Sequence, residues 1–456
     1  MTLALLPPRS ASAQFACPTV DDVQVQQALN VAAANGGGTV WLEAGVYNTC
    51  QTLVLGNNVH LRGAGRGATI IRGSTAMGGK IVSGAYIGAT IGGAGVRNVT
   101  VSDLTVDHRT YNRNGNGISF VPTGAQYTGA VPIGVLVERV EVLGAAGFHN
   151  YLIWNLKGQH VKIRDNWLDG GSAIPPAGQT PQEGIETFGG YDVVITGNTV
   201  QGIGGACINA GSAGIPASST VGVVISQNYL FGCTFGVNVG TSSENGGQHN
   251  FESSIVDNTI IYTSTGINIT AAAGTIQRNL HIAGNNVRVV GPGPNAAGIR
   301  IWAAPTADVG PVTVSSNQIE AVGGLHGSGI RLESAPNVRL LDNTVRNISD
   351  GIVVYSSDDV EVSRNRIERA SAYGMYVGPT TRRPIITDNV LADWSVVSPG
   401  MLLEGVRYGA VHRNFFRRVD GGRPAAIVVL ASCGVEMTGN QALYAGPTAN
   451  GATIPC

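Results

Sequence analysis

Lysine is nearly missing from this chain of 456 residues, occurring only at Lys80, Lys157 and Lys162. Charge of either sign is scarce, at 12% of residues, and balanced, with Lys+Arg 28 against Asp+Glu 29. A near-neutral chain with no basic run cannot neutralise a phosphate backbone, which argues against nucleic acid as a partner. No apolar run reaches the roughly 18 residues of a membrane helix. The cysteines number 6 and form no CxxC and no Cys/His metal spacing, so neither a metal nor a cofactor is expected. Their even number and grouping suggest three local pairs: Cys17–Cys50, Cys207–Cys233 and Cys433–Cys456. Disulfides imply an oxidising compartment. The start of the chain agrees: an apolar stretch, Leu3 to Leu6, precedes Ser10-Ala11-Ser12-Ala13, a small-residue cleavage pattern. Residues 1–13 are therefore expected to be the remnant of a signal peptide, and the protein to be secreted, extracellular or periplasmic.

Glycine, by contrast, is abundant at 65 residues, yet 43% of the chain is hydrophobic and rich in Val and Ile. That mixture fits many short strands separated by turns. One pattern recurs throughout: apolar, any, apolar, two polar residues, Asn, any, apolar. It reads VKIRDNWL, VVITGNTV, VVISQNYL and VRLLDNTV, among others. The Asn falls at 166, 198, 228, 258, 286, 317, 343, 365, 389, 414 and 440, at intervals of 22 to 32 residues. Leu104 and Val140 take the same slot upstream. A period of this length built from β-branched strands indicates a solenoid with one coil per repeat. The expected fold is an all-β, right-handed parallel β-helix of a dozen or more coils. An inward Asn at one corner would stack amide on amide along the axis.

A second element precedes each Asn strand: small residue, Gly, apolar, X, apolar. Examples are EGIET (183–187), FGVNV (235–239), AGIRI (297–301) and SGIRL (328–332). Period-2 alternation turns the apolar residues in and X out. The outward row is then Ser119, Trp154, Glu186, Asn209, Asn238, Asn268, Arg300, Arg331, Val353 and Tyr376. Residues 21–38 carry apolar positions at helical spacing and should cap the open end of the stack. Coils are expected over 39–440 and a tail over 441–456, all in a single domain from residue 14.

The stretch 21–73, with GGGTVWLEAGVY and VHLRGAGRGATIIRG, resembles the opening of the pectate-lyase-like β-helix superfamily, as do the Asn ladder and the Gly-apolar repeats up to residue 440. The resemblance implies the fold and an outer groove for polysaccharide. It implies no single reaction, because lyases, hydrolases, epimerases and phage tailspikes share the fold. The pattern GAGRG (63–67) is a turn rather than a phosphate loop, since β-branched residues and not a helix follow it.

Polysaccharide chemistry needs polar rungs, an aromatic platform and titratable groups at one point. Trp154 suits stacking on a pyranose. Asn209, Asn238 and Asn268 offer hydrogen bonds, and Arg300 and Arg331 suit carboxylate or hydroxyl groups. Long segments at 107–116, 169–182 and 241–252 flank these coils and add Arg109, Tyr111 and Arg113 as further binding groups. Glu186 is the leading catalytic residue, with Glu183, His149 or Asp169 as its second group. Two carboxylates can divide into acid and base or nucleophile, which makes a secreted glycoside hydrolase the leading expectation. The alternatives are a uronate lyase or C5-epimerase, with Arg109, Tyr111, Arg113 or His149 as base, and a non-catalytic glycan-binding or adhesion β-helix. In lyases of the resembled superfamily paired Glu residues bind calcium, so calcium enters only on the lyase alternative. Those lyases also place a Lys just downstream, where this chain has Thr187-Phe188-Gly189-Gly190.

Overall fold

The computed structural model describes residues 2–6, 20–49, 51–73, 85–89, 95–107, 109, 116–122, 129–144, 151–171, 183–212, 219–241, 249–290, 296–323, 327–418, 425–443 and 449–450. Each coil contributes one strand to each of three parallel sheets. In one coil Gln159–Arg164 lies in the first sheet and Trp167–Asp169 in the second. Glu183–Phe188 follows in the third, and the chain returns to the first sheet at Tyr191–Thr196. Like residues stack in register, Val161 on Val193 and Leu168 on Val200. These side chains are fully buried, which stabilises each by about 1.5–3 kcal/mol relative to exposure. The chain divides into two compact units, the first reaching Asn238 and the second holding the residues from His249 onward. Both repeat this coil.

The corner between first and second sheets explains the recurring motif. The residue before each ladder Asn is left-handed, as at Asp165 (φ 57°), Gly197 (φ 66°), Asp342 (φ 57°) and Asp388 (φ 59°). Gly, Asp and Asn tolerate that conformation best, hence the polar or glycine residue at this point of the motif. The Asn side chain then closes the turn. Asn343 Nδ2 donates to Asn365 Oδ1 at 2.9 Å and to the Val314 carbonyl at 2.9 Å. In the first unit Asn166 donates to Asn198 at 2.9 Å and Asn198 to Asn228 at 3.0 Å. Where Val140 takes the slot, its backbone N–H donates to Asn166 Oδ1 at 2.9 Å. One assignment needs correcting. The rung between Asn258 and Asn317 is Asn285, not Asn286: Asn285 is fully buried and Asn286 exposed.

The cap is the helix Val20–Ala34, which ends four residues before residue 38 because Gly36, Gly37 and Gly38 all take positive φ. Val25, Leu29 and Ala32 are buried beneath it. Gln26 pairs with both backbone groups of Val54, covering an edge that would otherwise be open. Thr2–Leu6, within the stretch read as an export segment, pairs in parallel with Gly38–Leu42. Cys207 and Cys233 are joined, with Cα atoms 5.6 Å apart. The other two proposed pairs involve Cys17, Cys50 and Cys456, which lie outside the described residues.

Candidate active site

The outward row stands as the alternation requires. Ser119 pairs with Trp154, Trp154 with Glu186, and Glu186 with Asn209. Asn238 Nδ2 then donates to Asn209 Oδ1 at 2.8 Å. In the second unit Asn268, Arg300, Arg331, Val353 and Tyr376 follow in register.

Gly184 decides where Glu183 points. A Cβ there would lie 2.4 Å from the Cys207 carbonyl oxygen and 2.5 Å from Val200 Cγ1, a core atom, so position 184 faces inward. Ile185 is also buried in the core. Two successive inward positions mean that the chain bends at the glycine, and both glutamates are left on the outer side. Glu183 Oε2 accepts the Ala206 N–H at 2.6 Å.

The outer row is nonetheless not open surface. Glu186 is only 3% exposed and Trp154 8%. This corrects the expectation of a solvent-facing tryptophan platform: Trp154 packs with Val121 and Leu156 under Tyr151 and Phe188. The Tyr151 and Trp154 rings lie 5.2 Å apart, tilted by 30°. Burial pushes Glu183 up to about 8, against the pull of the Ala206 hydrogen bond. At Glu186 burial comes first and Glu183 second in holding the carboxyl well above the ordinary range, partly offset by hydrogen bonds with Asn209, Tyr151 and Trp154. Burial thus disfavours the charged form of both carboxyls.

The remaining expected residues lie elsewhere. Asp169 ends a strand of the second sheet, where it accepts from Gly171 N and Gln201 Nε2, and does not join the glutamate pair. Arg109 is bound to Asp107 through two nitrogens at 3.0 and 3.1 Å. That bond, ahead of the opposing effect of burial, holds its guanidinium above its usual range. Arg300 and Arg331 both pair with Glu333. His149, Tyr111 and Arg113 fall outside the described residues. Among the described residues, no group of three or more His, Cys, Asp or Glu could hold a metal ion, and no helix is long and apolar enough to cross a membrane.

Two residues went unnoticed in the sequence. Tyr151 stands in register with Glu183 just as Trp154 does with Glu186, a relation the same repeat offset would have revealed. Lys157, half-buried after the strand Tyr151–Leu156, has its ammonium held below its usual range by burial. Lysine scarcity alone could have marked it.

Comparison with known proteins fits this geometry. The family model for the periplasmic copper-binding protein NosD matches residues 248–424, less than half the chain. Mannuronan C5-epimerase AlgE4 of Azotobacter vinelandii is 33% identical over 170 residues, covering 33% of this chain and 28% of that protein. Alginate lyase 7 of the same organism is 30% identical over 169 residues, covering 33% and 19%. The chain thus spans under a third of the length of these curated relatives. The tailspike protein of E. coli bacteriophage HK620, solved in complex with a pentasaccharide, matches over 93% of this chain and 78% of its own. Its TM-score is 0.61 at 12% identity, a likeness of fold alone.

Proposed function

The chain is a right-handed parallel β-helix of the pectate-lyase-like type, and from that premise we propose that it acts on a uronate-containing polysaccharide, abstracting the C5 proton as a lyase or C5-epimerase. The observation that carries this reading is the buried pair Glu183 and Glu186, stacked in register on Tyr151 and Trp154, with burial raising both carboxyls above their ordinary range. A hydrolase of the paired-carboxylate kind needs one ionised partner as base or nucleophile, and burial opposes ionisation of both members of this pair. The epimerase and lyase relatives support the same preference over a hydrolase.

Neutral acids suit an anionic sugar. They can lie beside a uronate carboxylate without repulsion and donate hydrogen bonds to it. Such bonds strengthen as the C5 proton leaves and charge spreads onto that carboxylate. The proton goes to a base on one face of the ring. Return of a proton to the opposite face inverts C5; departure of the C4 oxygen, which then takes a proton, leaves a double bond between C4 and C5. Tyr151, hydrogen-bonded to Glu186, is the described hydroxyl nearest this chemistry, and Tyr111 and His149 remain base candidates. Arg109, still charged, serves binding rather than proton abstraction. Calcium belongs to this reading as a counter-ion for the substrate carboxylate.

The test is incubation with polymannuronate and with mixed alginate. Ultraviolet absorbance of an unsaturated product identifies a lyase, and inverted C5 signals in proton NMR without chain cleavage identify an epimerase. New reducing ends without absorbance would restore the hydrolase, and binding without turnover the non-catalytic alternative.

A further inference from the structure

We infer that the Cys207–Cys233 disulfide is a positioning device for the carboxyl pair: it fixes the two strands whose backbone and asparagines hold Glu183 and Glu186. This inference deepens the proposed site and rests on it.

The contacts converge on the bridge. Ala206, the residue before Cys207, gives its N–H to Glu183 at 2.6 Å. The Cys207 carbonyl lies against Gly184, so closely that no side chain fits between them. Two residues on, Asn209 stands in register with Glu186 and hydrogen-bonds it. Asn209 Oδ1 is itself occupied by Asn238 Nδ2, which leaves the Asn209 amide NH₂ to face the glutamate. Asn238 lies on the strand Phe235–Thr241, which begins two residues after Cys233. The disulfide therefore ties together the two strands that form the relay from Asn238 through Asn209 to Glu186.

The chain needs such a tie here. Gly202, Gly204 and Gly205 precede Ala206 and carry no side chain to lock the turn. The bridge supplies that restraint, and as Cys207 and Cys233 are 0% and 4% exposed it acts as a permanent brace rather than a redox switch. Without it the Ala206 N–H can drift from Glu183. That hydrogen bond favours the ionised form, so losing it makes Glu183 hold its proton more tightly.

The experiment is a ¹³C NMR titration of glutamate side chains in three proteins: the wild type and the double variants C207A/C233A and C207S/C233S. Signals are assigned with Glu183→Gln and Glu186→Gln. Circular dichroism confirms the fold, and the serine pair serves if the alanine pair does not fold. The expected result is an upward move of the Glu183 midpoint by about one pH unit, the worth of a charge-assisted hydrogen bond. Asn238→Ala, which keeps the bridge, should raise Glu186 and leave Glu183 in place. A lower melting temperature with both midpoints unmoved would overturn the inference and leave the bridge a simple staple. Wild-type midpoints in the ordinary glutamate range would instead overturn the proposed site itself.

Discussion

In the first unit the outward column runs Ser119, Trp154, Glu186, with side chains 3%, 8% and 3% exposed, and its acids face aromatic rings and amides. In the second unit the same column runs Asn268, Arg300, Arg331, Val353 and Tyr376, and its charges are partnered. Arg300 and Arg331 share Glu333, Arg331 lies 5.4 Å from the Tyr355 ring centre, and the Tyr376 hydroxyl donates to Glu404 at 2.7 Å. Both columns occupy the same position of the coil repeat, and they differ in whether a carboxylate meets a cation. Burial dominates at Glu186 and keeps the proton on. At Glu333 burial pushes the same way, but the two guanidinium groups outweigh it and hold the carboxyl below its usual range. One column holds its carboxyl above the ordinary range; the other pairs its carboxyl with cations.

The sharpest way to break the first column is Trp154→Ala. Because the ring is buried, it should cost about 3 kcal/mol of stability, read by denaturant unfolding, rather than only weakening glycan binding. Next comes Glu186→Gln, which keeps the shape and removes the titrating proton. It replaces a carboxylic acid O–H donor by a weaker amide donor and should lower turnover of a polyuronate by about 10²-fold, with binding retained in a direct binding assay. Replacing Asn343 by Ala in the second unit should cost about 1–3 kcal/mol, through the rung it leaves unpaired, with turnover per folded molecule unchanged. Arg331→Ala should have the smallest effect: under about 1 kcal/mol of stability, since the ion pair is partly solvated, and a change of a few-fold in polyuronate affinity. If Arg331→Ala abolished turnover while Glu186→Gln did not, the roles of the two columns would be reversed.

Much of this contrast was present in the sequence, though not all in a form that could be read. The repeat gave the coil, the inward ladder and the outward column, because a strand period of 2 and a fixed coil length leave little freedom. The Asn-Asn doublet at 285–286 was ambiguous because either residue keeps the apolar pattern nearly intact. Glu333 lies two residues after Arg331 and so on the same face, a partner that alternation alone would have supplied. Glu183 was harder: its direction depends on the bend at Gly184, which is set by the Cys207 carbonyl and Val200 on the following stretch of chain. The burial of Glu186 was hidden for a similar reason. Tyr151 and Trp154, on the strand paired with that of Glu186, hydrogen-bond its carboxyl, a packing outcome with no local signature.

The central claim is that the first unit holds two neutral carboxylic acids at neutral pH, and the pH dependence of folding follows from it. A carboxyl whose folded value lies above its unfolded value binds its proton more tightly when folded. The stability this contributes is complete below the ordinary glutamate range and is lost as pH climbs through about 8, the value for Glu183. The direct measurement is the titration of the Glu183 and Glu186 carboxyl carbons in the intact wild-type protein. The account predicts that Glu183 changes near pH 8, that Glu186 also stays protonated through neutrality, and that neither changes between pH 4 and 5. A midpoint in that lower range for either residue would contradict it.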